Sequence, residues 1–430
     1  MRVPPWAPAW TLAAAVAVAL PSALAQPAPP AADVPLTLAQ ALRLADPASP
    51  AVRLREAQLA AAEGARREAA PPLFNNPELS AERTRRRADA PNGRTTEWAL
   101  GLSQPFETGG QQPRRREAAA ASLEALRAEI EDARLQARAE AAARFHAVLA
   151  AQRRLQLEQR SLELFERSAA AVERRRQAGE DTRLDANVAR VEAERARNAM
   201  AQAREQWLDA RGELAGALQL PPDRLPEAAG ELPPPAGPPA YDLERLLAAA
   251  RSLPRQRALA AREHAARARL GLERASRLPD VTVGLSVGRE GFPDGRERVT
   301  TLSLSVPLPL FKRNEAAIGQ ALSDAAQAQI ERAAAARDAE AQVRRLWSRL
   351  LSQHERVQRL QQALAAAALD NQRLAARSRQ AGQTGLLDEL IVNRQAIDAE
   401  RDLGSALADY HATRIELEHA AGWPQEGTAE

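Results

Sequence analysis

Few residues in this 430-residue chain could do chemistry. It holds five histidines and no cysteine. Disulfides, thiolate metal sites, catalytic thiols and a lipid anchor on an N-terminal cysteine are therefore excluded. His146, His264 and His354 are isolated, and His411 and His419 lie eight apart, too far for a ligand pair one helical turn apart. They read as structural or solvated histidines, with no metal or cofactor expected. No phosphate-binding glycine loop, nucleophile elbow or catalytic triad is present, so the chain does not read as an enzyme. Carboxylates at two turns remain. Asp185 follows Gly179 in Gln-Ala-Gly-Glu-Asp-Thr-Arg-Leu-Asp, and Asp388 and Glu389 follow Gly382 in Gln-Ala-Gly-Gln-Thr-Gly-Leu-Leu-Asp-Glu. Each glycine suits a left-handed residue that stops a helix. Thr182 and Asp185 fit a capping box that starts the next one.

The two turns match because the chain is a tandem duplication. Leu38 recurs as Leu243, Pro50 as Pro254, Pro105 as Pro307, Gly179 as Gly382 and Asp185 as Asp388, at offsets of 202–205 throughout. Residues 26–220 read as the first repeat and 241–423 as the second. A Pro-rich linker at 221–240 joins them and a short tail, 424–430, follows.

Each repeat predicts the same elements. A short helix opens it, with Thr37 and Gln40 as a capping box in one copy and Asp242 as N-cap in the other. Pro47 and Pro50 are expected to break the first of these, and a second helix runs from Pro50 to about Ala70. Strands follow. Val281, Val283, Leu285 and Val287 alternate with small or polar residues, as do Thr300, Leu302, Leu304 and Val306 after a polar turn at 289–298. In the first copy, 79–87 is more charged, while Trp98, Leu100 and Leu102 alternate as in a strand. Residues 113–178 and 314–381 then predict helices of ~100 Å each. Heptad-spaced seams, Val148-Leu155-Leu162-Ala169 and Ala150-Leu157-Leu164-Ala171, imply neighbours on both sides of the first. Shorter helices return from Leu184 to about Leu220 and from Leu387 to about Ala421.

Composition places the chain outside the cytoplasm and away from nucleic acid. Arg2, the apolar stretch 11–20 and Ala23-Leu24-Ala25 read as a secretory signal over residues 1–25, cleaved after Ala25 with Ala23 as the other small residue. The sequence pI is about 10.0, yet the formal net charge is only +3. Lys312 is the one lysine, and the arginines alternate with acids, as in Arg190-Val-Glu192-Ala-Glu194-Arg195. That pattern makes a solvated helix face rather than a nucleic-acid stripe.

Four strands cannot close a membrane barrel, which needs about eight, so several chains would have to pool them. With the signal, the duplication, the segment Leu102-Ser-Gln-Pro-Phe-Glu-Thr-Gly-Gly110 and the two glycine turns in order, the chain resembles the TolC family of outer-membrane efflux proteins. The resemblance implies a mainly α fold with a small β part. In it, long coiled α-hairpins form a periplasmic α-barrel, and two β-hairpins give four strands to a trimeric 12-stranded outer-membrane β-barrel. It implies a homotrimer in outer-membrane lipid that meets a periplasmic adaptor (a membrane fusion protein) and an inner-membrane RND-type transporter.

The resemblance also assigns the turns. Asp388, with Glu389 and Asp185, would form the periplasmic gate, where three chains make a carboxylate ring. A second gate carboxylate is expected near Ile391, where this sequence is apolar. Gly179, Thr182, Leu184, Gly382, Thr384 and Leu387 would form the adaptor-contacting tips. Asn76-Pro77-Glu78-Leu79 and Ser103–Gly110 resemble the branch serving cobalt–zinc–cadmium pumps, so the expected cargo is divalent heavy-metal cations. Multidrug or type I secretion ducts of the same fold, and a soluble periplasmic coiled-coil adaptor or scaffold, are the competing readings.

Overall fold

Short amphipathic segments, alternating strands and two unbroken Ala-rich stretches give the element order of a computed structural model. It describes residues 35–87, 94–221, 225–239, 241–291 and 295–422. The signal with Ala23 and Ala25, and the tail 424–430, lie outside the described residues. In the first half come α1 (Leu38–Ala48), α2 (Pro50–Glu68), β1 (Glu78–Arg87), β2 (Arg94–Phe106), α3 (Gln111–Gln177) and α4 (Arg183–Ala217). The second half gives α5 (Leu243–Arg251), α6 (Pro254–Ala275), β3 (Val281–Glu290), β4 (Glu297–Ser305), α7 (Glu315–Arg359), α8 (Ala366–Gln380) and α9 (Leu386–Ala421). The described residues are thus mainly helical, with one four-stranded antiparallel sheet ordered β1-β2-β3-β4.

Two expectations need correction. Pro47 does not end α1 but sits inside its last turn, one residue before Ala48. The ring costs one backbone bond there, and Ser49 N–H still reaches the Ala45 carbonyl at 3.0 Å. The second long helix is also not uniform, because residues Leu360–Ala365 form a π-helical turn between α7 and α8. Nothing in Leu-Gln-Gln-Ala-Leu-Ala departs from ordinary helix-forming composition, so residue type gives no warning of it.

Small side chains set the helix packing. Ala118 and Ala121 on α3 meet Ala268 on α6, so two backbones approach closely. Each half has its own core at matching places. Ala141, Phe145, Val148 and Leu149 of α3 pack with α1 and Leu214 of α4. Val343, Leu346, Leu350 and Val357 of α7 pack with Leu246 and Leu247 of α5 and Leu407 and Leu417 of α9. The halves are joined by Glu158 of α3, which is fully buried. It accepts from Arg401 of α9 at 2.9 and 2.6 Å and pairs with Arg154 at 2.7 Å. The Pro-rich segment is packed as well. Leu36 N–H donates to Glu227 O at 2.7 Å, and Ala229 N–H donates back to Leu36 O at 2.8 Å.

The sheet has two unlike faces. Register aligns Leu79, Leu102, Leu285 and Leu302 in one row across all four strands, and Ala81, Leu100, Val287 and Thr300 in the next. This face lies open to its surroundings, with Leu79 77% and Leu302 76% exposed. The opposite face carries Ser80, Gly101, Ser286 and Thr301 in one row, and Glu78, Ser103, Gly284 and Ser303 in another. Thr95 and Glu97 of β2 are buried on that face, where Thr95 Oγ1 donates to the Gly291 carbonyl and the Gly291 amide donates to Glu97. The outer edges of β1 and β4 have no strand partner among the described residues.

The Ser-Gln-Pro-Phe-Glu-Thr-Gly-Gly segment and the residues after it lock strands to helices. Gln104 Nε2 donates to Asn75 O at 2.8 Å, Thr108 Oγ1 to Pro279 O at 2.9 Å, and the buried Gln111 Nε2 to Leu278 O at 2.9 Å. Gly110 begins α3 in the left-handed region at φ 74°. In the basic run Arg114–Arg116, Arg116 donates to the Ala69 and Ala70 carbonyls at the end of α2. Those helix-end carbonyls have no intrahelical donor and draw the guanidinium inward. Arg115 pairs with Glu107 and lies 3.6 Å over the Phe74 ring.

Gly109 tests this junction. A Cβ on it would lie 2.6 Å from the Ala275 carbonyl and 2.9 Å from Leu278 Cβ. Gly109→Ala is expected to cost about 1–3 kcal/mol by overpacking. Gly64→Ala, in an open helix position with nothing within 4 Å, should stabilise by about 0.5–1 kcal/mol. Thermal unfolding of both variants checks the pair of signs.

Candidate functional site: the two helix-to-helix turns

Each long helix must discharge its last carbonyls before the chain reverses. Gly179 does so at φ 82° and Gly382 at φ 72°. In both turns the amides that follow complete the same cap. Glu180 N–H reaches Arg175 O at 2.9 Å, and Gln383 N–H reaches Ser378 O at 2.9 Å. The six-to-one bond and the left-handed glycine together are a Schellman motif, so the sequence match at these glycines is a match of backbone geometry.

The return helices start differently. Thr182 caps α4 as expected: Asp185 N–H donates to Thr182 Oγ1 at 3.1 Å, and Thr182 N–H and Oγ1–H donate to Asp185 at 3.0 and 2.7 Å. These bonds, with Arg379 further off, hold the Asp185 carboxyl below its ordinary 3.8. In the second copy Gly385 stands where Thr182 stands in the first. Only its amide can bond Asp388, at 3.3 Å, and no hydroxyl answers the Asp388 amide. Thr384, one place earlier, does not substitute; its Oγ1 is buried without a hydrogen-bond partner.

The turns are joined by a residue that sequence reasoning missed. Asp181, in the first turn, accepts from Arg379 Nη2 of α8 at 3.1 and 3.3 Å. It also lies 3.2 Å from Arg175 Nε of α3. Arg379 in turn lies 3.7 Å from Glu389 of α9. The result is a line of alternating charges, Arg175–Asp181–Arg379–Glu389, running from one repeat into the other. At its centre the Asp181 and Arg379 side chains are only 8% and 15% exposed. Beneath it Leu157, Phe165 and Val172 of α3 pack with Ala189, Ala193 and Ala196 of α4 and Leu386, Leu390 and Ile397 of α9. Burial pushes the Glu389 carboxyl above its ordinary 4.5, and Arg379 pulls it back in part.

The expected site residues therefore separate by role. Gly179, Gly382, Thr182 and Asp185 hold the turns. Glu389 belongs to the charged line, while Asp388 is exposed with the Gly385 amide beside it. Leu184 and Leu387 occupy the same place in the two repeats and are both open, at 72% and 61% exposure. Ile391 is also exposed, so an apolar residue does stand where a second carboxylate was expected. Among the described residues no group of three or more His, Asp or Glu could hold a metal ion. No described helix is long and apolar enough to cross a membrane.

A family model described as Outer membrane efflux protein matches this chain twice, over residues 41–218 and 244–423. The chain belongs to the outer membrane efflux protein family. Solved structures agree in fold. The outer membrane protein VceC from Vibrio cholerae superimposes with a TM-score of 0.73 at 20% identity, covering 90% of this chain and 96% of that one. The CmeC outer membrane channel of Campylobacter jejuni gives 0.74 at 15% identity, covering 91% and 87%. CusC, described in terms of folding and transmembrane channel formation, gives 0.73 at 18% identity, covering 89% and 91%. A search of curated proteins gave no match. By family the chain is therefore an outer membrane efflux protein, and the solved structures that share its fold include outer membrane channels.

Removing the central carboxylate should loosen the turns. Asp181→Ala leaves two guanidinium groups without their shared partner and is expected to cost about 1–3 kcal/mol. Faster amide exchange at both turns, rather than at one, is the expected signature. Gly385→Ser adds the missing hydroxyl where a Cβ meets nothing nearer than Asp388 Oδ2 at 3.6 Å. A gain of up to about 1 kcal/mol in thermal unfolding is expected from the new cap and a stiffer unfolded chain.

Acid should act on the turns in order. Glu389 has a raised carboxyl, so its ionised form costs stability at neutral pH, and that cost is relieved as pH falls through the folded value above 4.5. Asp185 is opposite in sign, contributing above 3.8 and losing that contribution only at lower pH. Thermal stability measured between neutral pH and pH ~4 should carry a component that Glu389→Gln removes.

Proposed function

We propose that three copies of this chain form the duct of a tripartite efflux pump, carrying divalent heavy-metal cations across periplasm and outer membrane. The observation that carries the reading is the open-edged sheet with an exposed leucine row. Unpaired strand edges are not tolerated in lipid, and four strands are too few to curl into a tube. Three sheets joined edge to edge give a 12-stranded barrel, apolar outside and small or polar within. The helices then form the periplasmic wall. The turns form its far end, with Leu184 and Leu387 as apolar contacts for a periplasmic adaptor and an inner-membrane RND-type transporter as the energised partner.

In this arrangement Asp388, exposed at the start of α9, lies at the gate as a ring of three carboxylates. Glu389 and Asp185 stand behind it, one in the charged line and one in a cap. A carboxylate ring attracts cations, and the line through Arg379 holds the helices together when the duct is idle. The heavy-metal assignment is supported by the Asn76–Leu79 and Ser103–Gly110 segments. The other reading, a multidrug duct, has the same physical frame.

Detergent-extracted protein should run at three times the mass of the chain left after signal cleavage, which is below the 46.5 kDa of the whole sequence. Asp388→Ala should raise single-channel conductance in planar bilayers at unchanged trimer yield; unchanged conductance would remove Asp388 from the gate. Growth of a deletion strain on zinc, cobalt and cadmium, against growth on hydrophobic drugs, assigns the cargo. Sensitivity to drugs alone would sink the metal reading.

A further inference from the structure

The exposed face of the sheet is apolar only at the end near the helices. Two rows beyond the leucine row its composition changes. Register places Arg83, Trp98, Arg289 and Arg298 side by side across the four strands. Arg85 faces Thr96 in the next row, and Arg87 faces Arg94 in the last. All six arginines are exposed. Alternation puts them on the face of Leu79, Leu102, Leu285 and Leu302. The acids of the same strands, Glu78, Glu82, Glu97, Glu290 and Glu297, all fall on the other face by the same count. There Arg86 pairs with Glu97 at 3.3 Å. No ion pair is found for the six arginines among the described residues.

This separation is costly as it stands. Arg87 is directly opposite Arg94, and Arg289 directly opposite Arg298. Like charges in direct cross-strand register destabilise a sheet. An anionic partner outside the chain would reverse the sign of that cost. The position says what kind. Rows repeat every ~7 Å along a strand, so the charges begin about two rows from the leucines, with Trp98 at the boundary. An indole at such a border suits a membrane–water interface. Guanidinium groups bind phosphate oxygens in forked pairs.

We propose that this arginine belt binds the phosphate groups of a phosphorylated glycolipid in the outer leaflet. The leucine rows would meet its acyl chains. The proposal rests on the reading that the strands cross the outer membrane with their hairpin ends outward.

The test uses the full-length protein reconstituted in phosphatidylcholine vesicles, with insertion scored first by co-flotation. Doped with bis-phosphorylated lipid A, these vesicles should yield protein that retains that lipid through detergent re-extraction. Retention should exceed that of the dephosphorylated lipid by at least about tenfold. The triple variant Arg85→Gln, Arg87→Gln, Arg289→Gln should float equally and lose about tenfold or more of that retention. Arg86→Gln, on the other face, should lose none. Salt at about 1 M should weaken retention by the wild type. Equal retention of the two lipids, or full retention by the triple variant, overturns the belt while leaving the duct intact. A wild-type chain that does not float overturns both.

Discussion

The unpaired edges of one small sheet constrain everything else in this molecule. Each backbone amide and carbonyl on the outer sides of β1 and β4 needs a partner if the leucine face is to sit in lipid, and the described residues hold no further strand to offer. Duplication doubles the strands from two to four but cannot satisfy the edges. Only other copies can. The helices inherit that requirement, because β2 runs directly into α3 through the junction at Gly109 and Gly110, and β4 leads on to α7. A long helix with seams on two sides, small residues where α3 meets α6, and a core in each repeat are what a wall built from repeated units requires.

Much of this was legible in residue types because local physics decided it. Alternation located β3 and β4, and it located β2 from Trp98, Leu100 and Leu102. Gly179 and Gly382 marked the ends of the long helices because few other residues adopt a left-handed backbone cheaply. Thr182 and Asp185 announced a cap that formed with every bond in place. The charged β1 gave a weak signal, since Glu-Arg-Thr-Arg-Arg-Arg alternates in size and side rather than in hydropathy.

What escaped the sequence is contact between distant residues. Asp181 looked like one more acid in a polar turn. Its partner Arg379 is 198 residues away and looked like one more basic residue near a helix end. Neither carries a sign of the other, and only the fold brings them to 3.1 Å. Arg115 and Arg116 are a similar case: carbonyls at the end of α2 and the carboxylate of Glu107 capture them, and nothing in the basic run itself points to those partners. The gate residues divide similarly. Asp185 is spent on a helix cap, and Glu389 on the line of charges, which leaves Asp388 as the open carboxylate.

The π-helical turn at Leu360–Ala365 has an arithmetical meaning. Ala141, Val148 and Leu155 of the first repeat correspond to Val343, Leu350 and Val357 of the second, each 202 residues on. Past the π-turn, Gly179 and Gly382 are 203 apart. The second repeat therefore carries one inserted residue between its core and its tip. An ordinary helix would register that insertion as a rotation of ~100°, turning the face of α8 that meets α9 away from it. A single widened turn absorbs it instead. The two tips thereby arrive in the same rotational phase, although the sequences that lead to them differ in length.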